Sequence, residues 1–115
     1  MYTILHNSRC GKSRDAIRLL DELKVDYNVR EYLKEELTVE ELKSIIIQVG
    51  LSPIDIIRTN ESIWKENFKD KSFTDEELIQ IMIDYPKLIQ RPIIYDGKSG
   101  VVGRPIVNIT AFIKK

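Results

Sequence analysis

The sequence predicts an α/β fold: one mixed β-sheet with helices packed on it and a helical insertion in the middle of the chain. Two observations lead to this prediction. Residues 2–32 show a strand, helix and strand pattern, and residues 92–113 show two short strands followed by a helix. At 115 residues the chain is long enough for one hydrophobic core, so we predict a single domain over residues 1–115.

The first unit begins with residues 2–6, a β-prone run. Residues 7–11 form a polar turn, and apolar residues then recur at helical spacing from about residue 11 to residue 24. Residues 27–32 alternate well enough to predict a second strand. Because a helix connects these two strands, we expect the strands to be parallel.

Two capping boxes predict helices in the middle of the chain. Thr38 and Thr74 are each followed three residues later by a glutamate and then by apolar residues at helical spacing. Gly50 ends the first of these helices, and Pro86 lies just beyond the second.

The segment between the two boxed helices is predicted to be shorter and less regular. Ser52 and Pro53 match the cap and first position of a short helix that ends near residue 57. Residues 60–72 are predicted to be irregular or partly helical. We assign the insertion to about residues 38–72.

The end of the chain predicts a hairpin and a last helix. Residues 92–95 and 101–102 are the strands, and residues 96–100 are the turn. Pro105 can begin the helix, and its buried side is expected to carry Ile106, Ile109, Phe112 and Ile113. The whole order, βαβ, helices and then αββα, is typical of a thioredoxin-like fold with a helical insertion.

Composition excludes several classes of function. Lysine plus arginine and aspartate plus glutamate number 18 each, so no net charge attracts nucleic acid or a membrane surface. The sequence shows neither a membrane-spanning run nor a signal peptide, and we therefore expect a cytoplasmic protein. One cysteine and one histidine predict no internal disulfide and no metal site. We expect a monomer.

Cys10, the only cysteine, is the first candidate functional residue. It lies where the first helix begins, and free N–H groups together with the helix dipole stabilise a thiolate there. Arg9, Lys12 and Arg14 add positive charge nearby. A lone cysteine usually fills a core, but this position predicts a catalytic nucleophile with a lowered pKa. The same N–H groups would bind an oxyanion.

Ser13 and His6 are candidate supporting residues. Ser13 could hydrogen-bond the sulfur or cap the helix, and His6 could fold over the turn and help to hold the thiolate. Each also has a purely structural explanation. Residues 11–13 look like the end of a P-loop, but His6 stands where that motif needs a glycine, so we exclude a nucleotide site.

Pro92 is the second signal, because it begins a predicted strand, where proline is tolerated. X–Pro is the bond for which the cis form costs little. In thioredoxin-like domains a cis proline at this place faces the active-site cysteine. We therefore expect a cis Pro92 opposite Cys10, with Arg91 pointing toward the thiol.

Several blocks of the sequence together resemble one family, the glutaredoxin-dependent arsenate reductases, which are related to Spx-like proteins. The blocks are HNSRCGKSR (residues 6–14), FTDEEL (73–78), LIQRPI (88–93) and GRP (103–105). Arg58 also falls where the family carries an arginine after the second helix. The resemblance covers essentially the whole chain.

This resemblance implies a site and a reaction. Cys10 would be the nucleophile, and Arg58, Arg91 and Arg104 would hold the oxyanion, since guanidinium groups bind such anions through paired hydrogen bonds. Arsenate would form a covalent adduct with Cys10 and leave as arsenite. Glutathione would be a co-substrate, glutaredoxin the protein partner, and no cofactor would stay bound.

One departure and two alternatives remain. Ser8 stands where the family usually has a proline, which would loosen the turn before Cys10. A Spx-like regulator that binds RNA polymerase is one alternative, although such proteins typically carry a second cysteine where this chain has Ser13. The other is a thiol oxidoreductase or glutathione-dependent transferase of the same family that acts on a different substrate.

Overall fold

A four-stranded mixed sheet forms the centre of the computed structural model, which describes residues 1–114. The spatial order is β2-β1-β3-β4, with β1 parallel to β2 and antiparallel to β3, and β3 antiparallel to β4. The strands are β1 (Tyr2–Leu5), β2 (Tyr27–Arg30), β3 (Ile93–Tyr95) and β4 (Gly100–Val102). The predicted parallel pair and the predicted hairpin are both confirmed.

Helices cover both faces of this sheet. In the described part of the chain one helix connects β1 to β2, four lie between β2 and β3, and one follows β4. The helices are α1 (Gly11–Glu22), α2 (Val39–Val49), α3 (Pro53–Ile56), α4 (Ser62–Asn67), α5 (Asp75–Asp84) and α6 (Val107–Lys114), with a 3₁₀ turn over Pro86–Leu88. The chain therefore has the predicted thioredoxin-like α/β fold, with additional helices between the two halves of the sheet.

The alternation of side chains along the strands divides the core into two clusters. Ile4 and Ile94 face one side of the sheet and pack with residues of α1 and α6. Leu5 and Ile93 face the other side and pack with the helices between β2 and β3. Because successive side chains of a strand point to opposite faces, these short strands can support both clusters.

Both predicted capping boxes are present. The Thr38 hydroxyl accepts a hydrogen bond from the Glu41 backbone N–H (3.1 Å), and the Thr38 N–H donates to the Glu41 carboxylate (3.0 Å). Thr74 and Glu77 repeat the arrangement at 3.2 and 2.8 Å. Gly50 ends α2 with a φ of 77°, a left-handed conformation that glycine adopts without strain.

The last helix begins later than the sequence predicts. It starts at Val107 rather than Pro105, and Ile106 is 40% exposed instead of buried. The Asn108 side chain explains the difference, because it donates hydrogen bonds to the Val102 carbonyl (3.1 Å) and to the Arg104 carbonyl (3.3 Å). These bonds hold the preceding residues in a turn.

The structure confirms three of the four residues expected on the buried side of the last helix, and the partly helical segment before Phe73. Ile109 and Phe112 are buried, and Ile113 packs against the same cluster. Residues 60–72, predicted to be partly helical, contain the short helix α4 with a buried Trp64. Among the described helices none is long and apolar enough to span a membrane.

The cap of α5 can be tested by substitution. Replacing Thr74 by alanine removes the acceptor for the Glu77 N–H, and we expect a loss of about 1 kcal/mol in the free energy of unfolding. Chemical denaturation would measure it. Thr74→Ser keeps the hydroxyl and should retain most of the stability. An equal loss in both variants would contradict a capping role.

Candidate active site

The site lies at the sheet edge where β1 and β2 end and β3 begins. Leu5, the last residue of β1, pairs with Arg30 on one side and with Ile93 on the other. The loop that follows β1 leads to Cys10, and Arg91 lies two residues before Ile93. Strand pairing alone therefore brings the cysteine loop and Arg91 together.

The turn before Cys10 is closed by Asn7. The Cys10 N–H donates to the Asn7 carbonyl (2.9 Å), and the Arg9 N–H donates to the Asn7 side-chain oxygen (3.0 Å). Arg14 donates from Nη1 to the Ser8 carbonyl (3.0 Å). These bonds define the turn although residue 8 is not a proline.

Cys10 itself is the N-cap residue of α1, with extended backbone angles and a partly buried side chain. The pKa of its thiol is lowered to about 7. Burial has the largest single effect, and it raises the pKa of the thiol. Three hydrogen bonds together outweigh it and lower the pKa: they come from the Ser13 backbone N–H, the Arg91 guanidinium and the Lys12 backbone N–H. The thiolate is therefore more populated at neutral pH than it is for an ordinary cysteine.

The charges that act on the sulfur are only partly those expected from the sequence. Lys12 contributes its backbone N–H, and the Arg14 side chain is held at the Ser8 carbonyl. The guanidinium that lowers the thiol pKa belongs to Arg91, which is 81 residues away in the chain. Tertiary structure therefore supplies the main side-chain charge.

Arg104 is the second guanidinium at the thiol. Its Nη2 lies 3.6 Å from the Cys10 sulfur, and its Nε donates to the Arg91 carbonyl at 2.7 Å. Arg91 in turn donates from Nη1 to the Lys87 carbonyl (3.3 Å), while its buried Nε has no hydrogen-bond partner among the described residues. The structure thus brings Cys10, Arg91 and Arg104 together.

Arg58 is placed at the same edge but is engaged by an acidic neighbour. Its Nη1 lies 2.6 Å from the Glu61 carboxylate. The Arg58 N–H donates to the Leu88 carbonyl (2.7 Å), which holds this segment beside the chain that leads to Arg91. An anion that uses Arg58 has to share it with Glu61.

Ser13 and His6 form a pair below the turn. Ser13 is fully buried, and its hydroxyl lies 2.6 Å from Nδ1 of His6 and accepts a hydrogen bond from the Asn7 N–H at 3.0 Å. The prediction that this hydroxyl bonds the sulfur or caps the helix is wrong, because His6 and the Asn7 N–H occupy the hydroxyl. His6 contacts Ser13 rather than reaching over the thiol.

The charge of His6 is also set by this environment. Burial lowers the pKa of the imidazole; Arg14 lowers it further, and Glu31 opposes both effects. The ring is therefore neutral at pH 7, and its Nδ1 can accept the proton of the Ser13 hydroxyl. The pair supports the turn that carries Cys10.

Pro92 follows a cis peptide bond, as predicted. Its carbonyl accepts a hydrogen bond from the Gly103 N–H (2.8 Å). A Cβ atom on Gly103 would lie 2.7 Å from Ile109 and 3.0 Å from the ring of Pro92. Glycine at this position therefore lets the chain pass close to Pro92 and places Arg104 at the thiol.

The sequence patterns do not place Tyr32 near Cys10. They predict it as the end of the second strand, whereas the strand ends at Arg30 and Tyr32 is buried beyond it, close enough for Arg91 and Cys10 to act on its hydroxyl. The available signal was its position after a strand that is parallel to β1, because parallel strands end at one edge.

Within residues 1–114 no group of three or more histidine, cysteine, aspartate or glutamate side chains could hold a metal ion.

A nucleophilic thiol beside two guanidinium groups can bind and attack a tetrahedral oxyanion. The ArsC family model matches residues 5–112 of this chain. The chain belongs to the ArsC family. This membership confirms the family resemblance that the sequence blocks indicate.

Individual proteins of known sequence or structure match this chain over most of its length. An arsenate reductase from Neisseria meningitidis serogroup A is 37% identical over 112 residues, which are 96% of each chain. YfgD, an uncharacterized protein of Escherichia coli, is 38% identical over 104 residues, 89% of this chain and 87% of YfgD. The solved structure of an arsenate reductase from Vibrio cholerae matches with a TM-score of 0.88 and 35% identity, over 96% of this chain and 95% of that one.

The lowered thiol pKa can be measured directly. The rate of Cys10 alkylation by iodoacetamide should rise with pH through a midpoint of about 7, because only the thiolate reacts. Arg91→Ala should move the midpoint upward. Arg18→Ala, which removes an exposed guanidinium paired with Asp15 on the same helix, should not. An unchanged midpoint in Arg91→Ala would contradict the assigned role of Arg91.

Substituting Ser13 separates support of the turn from stabilisation of the thiolate. Ser13→Ala leaves the Asn7 N–H and the His6 ring without their partner, and we expect a loss of about 1–3 kcal/mol in the free energy of unfolding. The alkylation midpoint should move less than in Arg91→Ala, because the Ser13 backbone N–H remains. A midpoint shift without any loss of stability would contradict this assignment.

Proposed function

We propose that this protein reduces arsenate to arsenite through a covalent adduct on Cys10. The observation that carries the proposal is the position of the Cys10 thiol, which has a pKa of about 7 and lies among the Arg91 and Arg104 guanidinium groups. Relatives named arsenate reductases, at 31% and 37% identity, support an oxidoreductase that acts on this anion.

Arsenate would bind with its oxygens directed at the guanidinium groups. The Nε of Arg91 is buried and has no acceptor in the described part of the chain, so an anion oxygen there would satisfy it. Arg104 is held in place by its bond to the Arg91 carbonyl, and its Nη2 already lies near the sulfur. Arg58 would contribute charge from the far side, shared with Glu61.

The first chemical step joins Cys10 to arsenic. The thiolate attacks arsenic(V), an S–As bond forms, and one As–O bond breaks as the departing oxygen is protonated to water. Arsenic remains As(V) in this step. The arginines would stabilise the negative charge that moves onto the remaining oxygens.

The reduction itself needs thiols from outside, because the chain contains only one cysteine. Glutathione would displace a second oxygen, which leaves as water, and bind through its sulfur. A glutaredoxin thiolate would then attack the glutathione sulfur and form an S–S bond with it. The bond between the glutathione sulfur and arsenic breaks, and the electron pair of that bond reduces As(V) to As(III), while Cys10 stays bound to arsenic. Water would finally displace Cys10, which releases arsenite and restores the thiol.

An assay that couples arsenate reduction to NADPH oxidation through glutathione and glutaredoxin tests this proposal. Cys10→Ser should abolish turnover. Arg91→Ala and Arg104→Ala should lower it by roughly 100-fold or more, because each removes a fixed charge from the reacting anion. Arg18→Ala serves as the matched control and should be fully active, since its guanidinium lies on an exposed face.

The same assay on the unmodified protein distinguishes arsenate reduction from thiol chemistry on another substrate. No NADPH oxidation, with an alkylation midpoint still near 7, would reject arsenate reduction and favour a thiol oxidoreductase with another substrate. Turnover that continues in Cys10→Ser would reject the covalent mechanism.

A further inference from the structure

Tyr32 is a buried residue that the proposed mechanism does not use. It lies two residues beyond the end of β2 and is 1% exposed, packed in the same cluster as Leu5 and Ile93. Leu5 pairs with Arg30 and with Ile93, so Tyr32 and Arg91 flank the end of β1 from opposite sides. The topology therefore places Tyr32 at the edge that carries Cys10.

The proton of the Tyr32 hydroxyl has no acceptor among the described residues, although the Arg91 guanidinium lies near enough to donate toward the hydroxyl oxygen. The charged groups that act on it are the Arg91 and Arg58 guanidinium groups and the Cys10 thiol. Arginine has only donors, so neither guanidinium can accept the hydroxyl proton. A buried hydroxyl with no acceptor is unfavourable and calls for an explanation.

Arg91 shows the same deficit, because its buried Nε also lacks a partner within residues 1–114. Arg30 Nε is a third such atom, but its guanidinium already pairs with Glu35 and Glu41. Two of these donors, the Tyr32 hydroxyl and the Arg91 Nε, therefore lie at one edge of the sheet without acceptors, and the positive charges of Arg91 and Arg58 act on the Tyr32 hydroxyl. A ligand that satisfies them needs several acceptor oxygens and negative charge. A tetrahedral oxyanion has these properties.

We propose that the Tyr32 hydroxyl is an additional oxyanion-binding group, which donates a hydrogen bond to an oxygen of the anion held by Arg91 and Arg104. This inference rests on the proposed function and extends it by one residue. Burial raises the pKa of Tyr32, with Arg91 and Arg58 opposing that effect, so the hydroxyl keeps its proton at neutral pH and can donate it. It adds a directed bond without adding charge.

Tyr32→Phe tests the proposal, because it removes the hydroxyl and keeps the buried ring. The readout is protection of Cys10 from iodoacetamide by sulfate and, separately, by arsenate in the absence of glutathione. We expect both anions to bind roughly ten- to 100-fold more weakly to Tyr32→Phe, the loss typical of a hydrogen bond to a charged group. Tyr27→Phe is the control, since its hydroxyl bonds Asp21 near the other end of β2.

The outcomes separate this inference from the proposed function. If the unmodified protein gains no protection from either anion, the oxyanion site itself is wrong and both proposals fall. If the anions protect the unmodified protein and Tyr32→Phe equally, only the role of Tyr32 is rejected, and a water or a structural role explains the hydroxyl. Reduced protection with an unchanged melting temperature would support the inference.

A second measurement does not depend on the folding of a variant. The chain has five tyrosines, which can be labelled with ¹³C at the ring carbon that carries the hydroxyl. Sulfate added to the unmodified protein should shift the resonance of the fully buried tyrosine, Tyr32, and leave Tyr27 at its original position. A spectrum without any sulfate-dependent shift would overturn the proposal.

Discussion

The site depends on the pairing of the central strand β1 with two neighbours at once. Leu5 is hydrogen-bonded in register with β2 on one side and with β3 on the other, so three chain segments meet at its end. One segment carries Cys10, one leads to Tyr32, and one follows Arg91. No local sequence pattern could bring these residues together, because they are separated by 22 and 59 residues.

The pKa of the Cys10 thiol is set by the groups that lie next to the sulfur in space. The chain as a whole has equal numbers of acidic and basic residues, so its long-range field is small. Burial of Cys10 favours the neutral thiol, and the helix N-terminus together with Arg91 favours the anion. Because the favourable groups are fixed hydrogen-bond donors, they would also suit the oxyanion that we propose as the substrate, without rearrangement.

The differences between prediction and structure have identifiable physical causes. The sequence leaves the Ser13 hydroxyl available to bond the sulfur or to cap the helix, but that hydroxyl is buried against His6 and Asn7, and the backbone N–H of Ser13 acts on the sulfur instead. The last helix starts late because Asn108 holds the turn before it. In both cases a side-chain hydrogen bond occupies a polar group that the sequence pattern leaves free: His6 contacts the Ser13 hydroxyl, and Asn108, in the first turn of the last helix, bonds the Val102 and Arg104 carbonyls.

The sequence by itself determined the elements that depend on local chemistry: the helices begun by Thr38 and Thr74, the parallel unit around α1, and the place of Cys10 at a helix start. Periodicity and capping act within a few residues, so they can be recognised along the chain. Only the tertiary structure decided which charges reach the thiol, that Arg58 is held by Glu61, and that the proton of the buried Tyr32 hydroxyl has no acceptor within residues 1–114. These properties depend on distances across the sheet edge, which are set when β1 pairs with both neighbours.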